Sequence, residues 1–204
     1  MQRTICELLK NDIVALGLDW FDRVCGMVEP LSQKVINGDS TVTKTHPIYR
    51  DPNRTGCNVN NNYTACHPDT QLRSLIYMEA EEPSSEAHTT NYDEYNMRVN
   101  LVLWLNLTRL NPAYEDASDY ADELMGELPD RLAASGAYHT IRVDVNGCSR
   151  DLGMVNKYSY DEAESQSWIY PFDFTVISIN VRFRRTKTCH ADTVYNPSTC
   201  QFYK

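Results

Sequence analysis

Between Tyr95 and Leu110 the chain reads YNMRVNLVLWLNLTRL. Apolar side chains fall on Tyr95, Met97, Val99, Leu101, Leu103, Leu105 and Leu107. A period of two places these residues on one face of a strand committed to a core. At ~3.3 Å per residue the run spans roughly 40 Å, well beyond an average strand. The even positions are mixed, with Val102 and Trp104 forming an apolar patch among Asn96, Arg98, Asn100, Asn106 and Thr108.

The pattern before this strand changes several times. Ile5, Leu8, Leu9, Ile13 and Leu16 recur at helical spacing and predict a helix over 2–16. Thr4 and Glu7 stand at capping-box spacing, and Gly17 is the stop. Residues 18–28 fit either more helix or a short strand, ended by Pro30. Residues 33–45 read as a hairpin that projects from the body, because Asn37-Gly38 is a strong short-range turn signal. The polar stretch 46–71 is expected to be a long arm or loop, ordered by a partner or used in function. A strand over 72–80 and a polar turn over 81–91 lead into the central strand.

After Asn111-Pro112, Tyr120, Leu124, Leu128 and Leu132 share one face of a helix expected over 115–134. Its acidic residues gather at the start, Pro129 kinks or restarts it, and Gly136 ends it. Tyr138–Val145 alternates with Ile141, Val143 and Val145 inward, and Asn146-Gly147 turns. Residues 158–168 read as a polar connection or short helix. In the last strand, 169–185, the apolar set moves from even positions (Tyr170, Phe172, Phe174, Val176) to odd ones (Ile177, Ile179, Val181, Phe183). That change of phase predicts a β-bulge near Val176-Ile177. Residues 187–204 form a polar tail.

This order predicts one α+β domain over 1–204: an antiparallel or mixed β-sheet with two helices packed on the face of Leu101, Leu103 and Leu105. The other face, with Val102, Trp104 and Phe174, is left half apolar and is expected to meet another subunit.

Composition narrows the function. The net charge of −9 disfavours a broad nucleic-acid grip, which needs clustered Lys and Arg. No stretch approaches the roughly 18 apolar residues of a membrane helix, and charges interrupt any signal-type core near the N-terminus; a soluble chain made in a cytoplasm is the expectation. The seven cysteines are scattered and read mostly as free thiols. Pairs Cys57–Cys66 and Cys189–Cys200 are conceivable as loop disulfides. Cys57, Cys66 and His67, with His46 nearby, carry zinc-ligand chemistry at a spacing that fits no common structural site. No nucleophile-elbow, zincin or phosphate-loop motif is present, and the carboxylate pairs Glu115-Asp116 and Asp122-Glu123 read as a solvated helix face, so neither enzyme nor cofactor is expected. The run Arg182, Phe183, Arg184, Arg185, Thr186, Lys187 reads as a charged strand end or as a contact for an acidic partner or DNA phosphates. The sequons at Asn53, Asn62 and Asn106 read as chance.

The helix ICELLKNDIVAL, the hairpin at Asn37-Gly38, the strand YNMRVNLVLWLNL, the acidic helix after it and the closing strand FDFTVISINVRFRR occur in an order that resembles bacteriophage tail-terminator or head–tail connector ring proteins. The resemblance covers roughly 1–45 and 72–186; the Cys/Asn-rich loop 46–71 and the tail depart from it. It implies a virion protein made in the bacterial host cytoplasm. Such a protein forms a homo-oligomeric ring around the DNA channel beside portal, connector or tail-tube proteins, without catalytic residues, cofactor or membrane. Val102, Trp104, Asn37, Gly38, Tyr49 and Tyr63 are then the expected subunit contacts, and Arg182, Arg184, Arg185 and Lys187 the partner contacts. A disulfide-containing secreted or surface binding module is the alternative.

Overall fold

In a computed structural model, residues 1–37, 40–51, 63–110, 116–151, 153, 157–159 and 171–187 are described. Helix α1 (Gln2–Ala15) is followed by strands β1 (Arg23–Asn37), β2 (Ser40–Arg50), β3 (Tyr63–Ala65), β4 (Ser74–Ala80), β5 (Ser84–His88) and β6 (Tyr92–Asn106). Helix α2 (Ala117–Glu127) and strands β7 (Arg131–Leu132), β8 (Tyr138–Ser149) and β9 (Phe172–Thr186) are the remaining elements among the described residues. The described strands form a nine-stranded sheet in the order β3-β2-β1-β4-β6-β9-β8-β7, with β5 also on β6. The β1–β4 pair is parallel and the others are antiparallel, so the sheet is mixed and the fold is α+β.

The period-two strand lies at the centre, as its composition requires. β6 pairs with β4 on one side and with β9 along its whole length on the other. Its odd residues Met97, Val99, Leu101, Leu103 and Leu105 share a core with Ile5, Leu9 and Ile13 of α1 and with Tyr120, Ala121 and Leu124 of α2. Both helices thus cover the expected face. α1 starts without a side-chain cap, correcting the Thr4–Glu7 capping box; Glu7 instead bonds Tyr49. α2 does carry a capping box, from Asp116 and Asp119.

The second face is not open. Val102 is fully buried and Trp104 is 2% exposed. They pack with Leu75, Tyr77, Phe174 and Val176 of the neighbouring strands, and with Cys25, Val28, Tyr49, Cys66 and Tyr158 from elsewhere in the chain. This also explains the phase change in β9. The β6–β9 register is unbroken from Tyr92↔Thr186 to Asn106↔Phe172, so no bulge separates Val176 from Ile177 in that pairing. Even residues Phe174 and Val176 enter the second core while odd residues from Ile177 onward enter the first. The irregularities lie on β8, between His139 and Arg142 and between Val145 and Gly147, where Gly147 adopts φ +118°. Asn146-Gly147 is therefore a kink inside a longer strand rather than its end, and Val145 is 38% exposed rather than inward.

Other boundaries move for equally local reasons. Leu128 leaves helical geometry just before Pro129, so the helix ends there, and 131–132 form a strand on β8. Residues 84–88 are a strand on β6, so only the end of 81–91 turns. Pro30 does not end a strand. It lies within β1 opposite Pro47 of β2. Alternate pairs of an antiparallel ladder exchange no hydrogen bonds, and a proline facing a proline fits such a slot. The polar arm is correspondingly shorter: 46–50 belong to β2, and 63–65 pair with it as β3. Residues 52–62, most of the 158–168 connection and the tail from 188 lie outside the described residues.

Candidate functional site

β1 is built in two parts. Its first residues, Arg23, Val24 and Met27, pair in parallel with β4, with one extra residue on β1 between Val24 and Met27. From Val28 to Asn37 it pairs only with β2; β3 makes the root three-stranded at Ile48 and Tyr49, and from Leu31 outward the pair of β1 and β2 runs on as a ribbon. Residues 32–36 and 41–43 are exposed on both faces. Among the exposed large apolar residues, Val35 (38%), Ile36 (80%) and Val42 (44%) all lie on this ribbon. Val35 sits opposite Val42, while Ile36 is on the other face with Lys34, Thr41 and Thr43. A free two-stranded ribbon is at best marginally stable in water, and apolar side chains on its tip add a cost that contact with another surface removes.

The predicted hairpin is thus present, though longer than 33–45. Its outermost described pair is Asn37 with Ser40. Gly38 and the side chain of Asn37 lie outside the described residues.

At the root of the ribbon lies a network that sequence spacing did not suggest. The Tyr49 hydroxyl donates to Glu7 Oε2 (2.9 Å), and Lys10 Nζ donates to the Tyr49 hydroxyl (2.7 Å) with its ammonium 4.8 Å from the ring centre. Burial and the Glu7 carboxylate push the Tyr49 phenol well above its usual value. Gly26 is packed beneath: a Cβ there would stand 2.2 Å from Glu7 Oε1 and 2.9 Å from the Tyr49 ring. Tyr49 is therefore a buried strut, 4% exposed, rather than a surface contact. Val102 and Trp104 are interior for the reason given above. Tyr63, on edge strand β3, is a surface residue at 38%.

Beside this network Cys25 and Cys66 meet in the second core, both free. Their mutual hydrogen bond and burial push the Cys66 thiol up. Cys66 is buried while His67 is exposed, so neighbours in sequence point apart; Cys57 lies outside the described residues. Among the described residues, no three His, Cys, Asp or Glu gather as a metal site. Cys189 and Cys200 lie outside them.

The basic run is mostly engaged within the chain. Arg182 meets Asp144 at 2.6 Å, Arg184 meets Glu94 at 3.5 Å and stacks 4.6 Å from the Tyr92 ring centre, and Lys187 meets Asp93 at 2.9 Å. Arg185 alone of the four is exposed without an ion pair among the described residues. The Lys187 ammonium and His88 hold the Asp93 carboxyl below its usual range.

Asp93 also completes a contact chain hidden in the predicted turn. Ser85 Oγ lies 3.1 Å from His88 Nε2, and His88 Nδ1 lies 2.7 Å from Asp93 Oδ1. These are the contacts of a hydrolytic triad. Here, however, Lys187 shares the Asp93 charge and the His88 side chain is 67% exposed. Ser85 and His88 lie on β5 and Asp93 on β6, so the His88–Asp93 contact joins the two strands.

A cleft of about 280 Å³ adjoins the ribbon root, lined by Met27, Val28, Pro30, Ala80 and Tyr158 and by the charged pair Glu79 and Lys157. Glu79, 7% exposed, pairs through Oε2 with Lys157. Its Oε1 is buried without a hydrogen-bond partner among the described residues.

No helix among the described residues is long and apolar enough to cross a membrane. Comparison with family models, curated proteins and solved structures finds no match to this chain.

Proposed function

We propose that this chain is a structural subunit of a ring at the neck or tail end of a bacteriophage virion, with portal, connector or tail-tube proteins as neighbours. DNA passes through the ring without sequence-specific binding. The observation that carries this reading is the ribbon 28–49. It leaves a sheet buried on both faces and holds Val35, Ile36 and Val42 in solvent. A subunit that must engage a neighbour while staying rigid needs this combination. The acidic balance of −9 suits a channel to which DNA must not adhere.

The role is structural rather than catalytic, and no cofactor is required. Four cysteines, Cys6, Cys25, Cys66 and Cys148, are free thiols, which weighs against a secreted module stapled by disulfides.

Mass by light scattering over a range of concentrations, followed by negative-stain imaging of any large species, tests the reading. A closed ring is the expected result, and its symmetry follows directly. A chain that stays monomeric throughout and binds neither isolated phage tails nor portal rings refutes it.

A further inference from the structure

Cys25 and Cys66 lie in the second core, 2% and 0% exposed, and their side chains are hydrogen-bonded to each other. They come from different elements. Cys25 sits in the irregular stretch of β1 between Val24 and Met27. Cys66 directly follows β3, with its amide donating to the Pro47 carbonyl at 2.8 Å and its thiol to the Thr64 carbonyl at 3.6 Å. β3 in turn pairs with Ile48, Tyr49 and Arg50 of β2. The two sulfurs thus join the strand that enters the ribbon to the strand beside its exit.

The sheet separates this pair from the other described thiols. Cys6 belongs to the first core, and Cys148 packs against that core. Among the described residues, Cys66 is the only thiol on the same side of the sheet as Cys25.

Cys25 is the better nucleophile of the two. The hydrogen bond from Cys66 holds its thiol below the usual value in spite of burial, and the charges of Arg23 and Lys10 act in the same direction. The thiolate is the reactive form of a cysteine.

We propose that Cys25 and Cys66 are a reversible redox pair, a dithiol under reducing conditions and a disulfide under oxidising ones, that cross-links the root of the ribbon. The oxidant is a peroxide, small enough to enter a core closed to bulkier reagents. The Cys25 sulfur attacks one peroxide oxygen. An S–O bond forms, the O–O bond breaks, and the leaving hydroxide takes the thiol proton to become water. The Cys66 sulfur then attacks the sulfenic sulfur of Cys25. The S–S bond forms, the S–O bond breaks, and the hydroxyl leaves with the Cys66 proton as a second water. Two thiols and one hydrogen peroxide become one disulfide and two waters. A dithiol reductant reverses the change by exchange.

The ribbon 28–49 lies between the two cysteines in sequence, so the bond closes a loop of about 40 residues around it. A loop of that size raises the melting temperature of a chain this long by about 5–15 °C.

The test uses the full chain, reduced, desalted and treated with hydrogen peroxide. Remaining thiols are alkylated in denaturant. The protein is then digested with trypsin and chymotrypsin, the latter cutting at Tyr63 between Cys57 and Cys66. Mass spectrometry without reduction is expected to find the Cys25 and Cys66 peptides linked and lighter by two hydrogens. Dithiothreitol should release them. Circular dichroism should show the melting temperature raised by the amount given above, and Cys66→Ala should show no rise on oxidation.

Recovery of Cys25 and Cys66 as alkylated thiols, after Cys148 has been oxidised, overturns the inference. So does a link from Cys66 to Cys57, or a Cys25–Cys66 bond that leaves the melting temperature unchanged. The ring reading is independent of all these outcomes, because none of them measures assembly.

Discussion

Trp104 separates an interior second face from an open one. The indole is 2% exposed, and its ring centre lies 5.2 Å from that of Phe174. A Trp side chain buries up to about 250 Å², so at 25 cal/mol per Å² its transfer is worth at most about 6 kcal/mol. Trp→Ala substitutions in packed cores cost about 3–5 kcal/mol, cavity included. We expect Trp104→Ala to lose that much in urea unfolding followed by circular dichroism. At an m-value of about 2–3 kcal/mol per M this lowers the midpoint by roughly 1–2.5 M. The measurement belongs at a protein concentration where the wild type is dissociated, so that subunit contacts do not contribute. Phe174→Ala should be coupled to it by about 0.5–1.5 kcal/mol in a double-mutant cycle. A loss below about 0.5 kcal/mol, together with weakened self-association, would mean that Trp104 faces a partner and that the second core has been misread.

Asp22 accepts from the Arg73 guanidinium at 2.9 and 2.7 Å, and this holds its carboxyl below the usual range. A depressed value means stability present above the unfolded pKa of about 3.9 and lost as pH falls through the lower folded one. Asp22→Asn should therefore differ from wild type at neutral pH, by up to about 1 kcal/mol for so exposed a pair, and converge with it in strong acid; parallel curves throughout would refute this. Gly26→Ala should destabilise by about 1–3 kcal/mol, because Glu7 and Tyr49 occupy the space, and a neutral result in thermal unfolding would show the root to be loosely packed. Burial pushes the Cys6 thiol up to about 12, so peptide-mapped labelling of native protein with an aromatic disulfide should modify half-buried Cys148 well before Cys6 or Cys66. Equal rates would contradict the burial of Cys6 and Cys66.

The parts legible in the sequence were those whose signal is local and long. Period two from Tyr95 to Leu107 specified β6 and its helix-covered face, and helical spacing specified α1. The fate of the other face was not legible. Its covering residues, Cys25, Val28, Tyr49, Cys66 and Tyr158, come from four separate segments, each too short or too polar to announce a core. The same remoteness misled the reading of β9, where a change in which face is buried mimicked an inserted residue. Pro30 and Pro47 each look like a stop, and only their pairing makes them compatible with a strand. At the candidate site, Asn37-Gly38 signalled a ribbon, whereas the cleft beneath it depends on Glu79 meeting Lys157 across 78 positions of sequence. The Ser85–His88–Asp93 chain depended on a hairpin that polar composition concealed.

β1 passes from the sheet into the ribbon without an intervening loop. The ribbon is thus a cantilever rather than a flail. Its bearing is set by the extra residue between Val24 and Met27, over which Glu7 closes like a wedge. A load applied at Ile36 is carried back through the strand to α1 and β4 instead of being absorbed by a swivel. Little orientational freedom is left to lose on docking. In a closed assembly of such parts, the angle at which the beam leaves its mounting becomes the angle between one subunit and the next. In the ring proposed above, the number of copies would follow from the strand's local twist near Gly26, and a change of a few degrees there would be read out as a ring of different size.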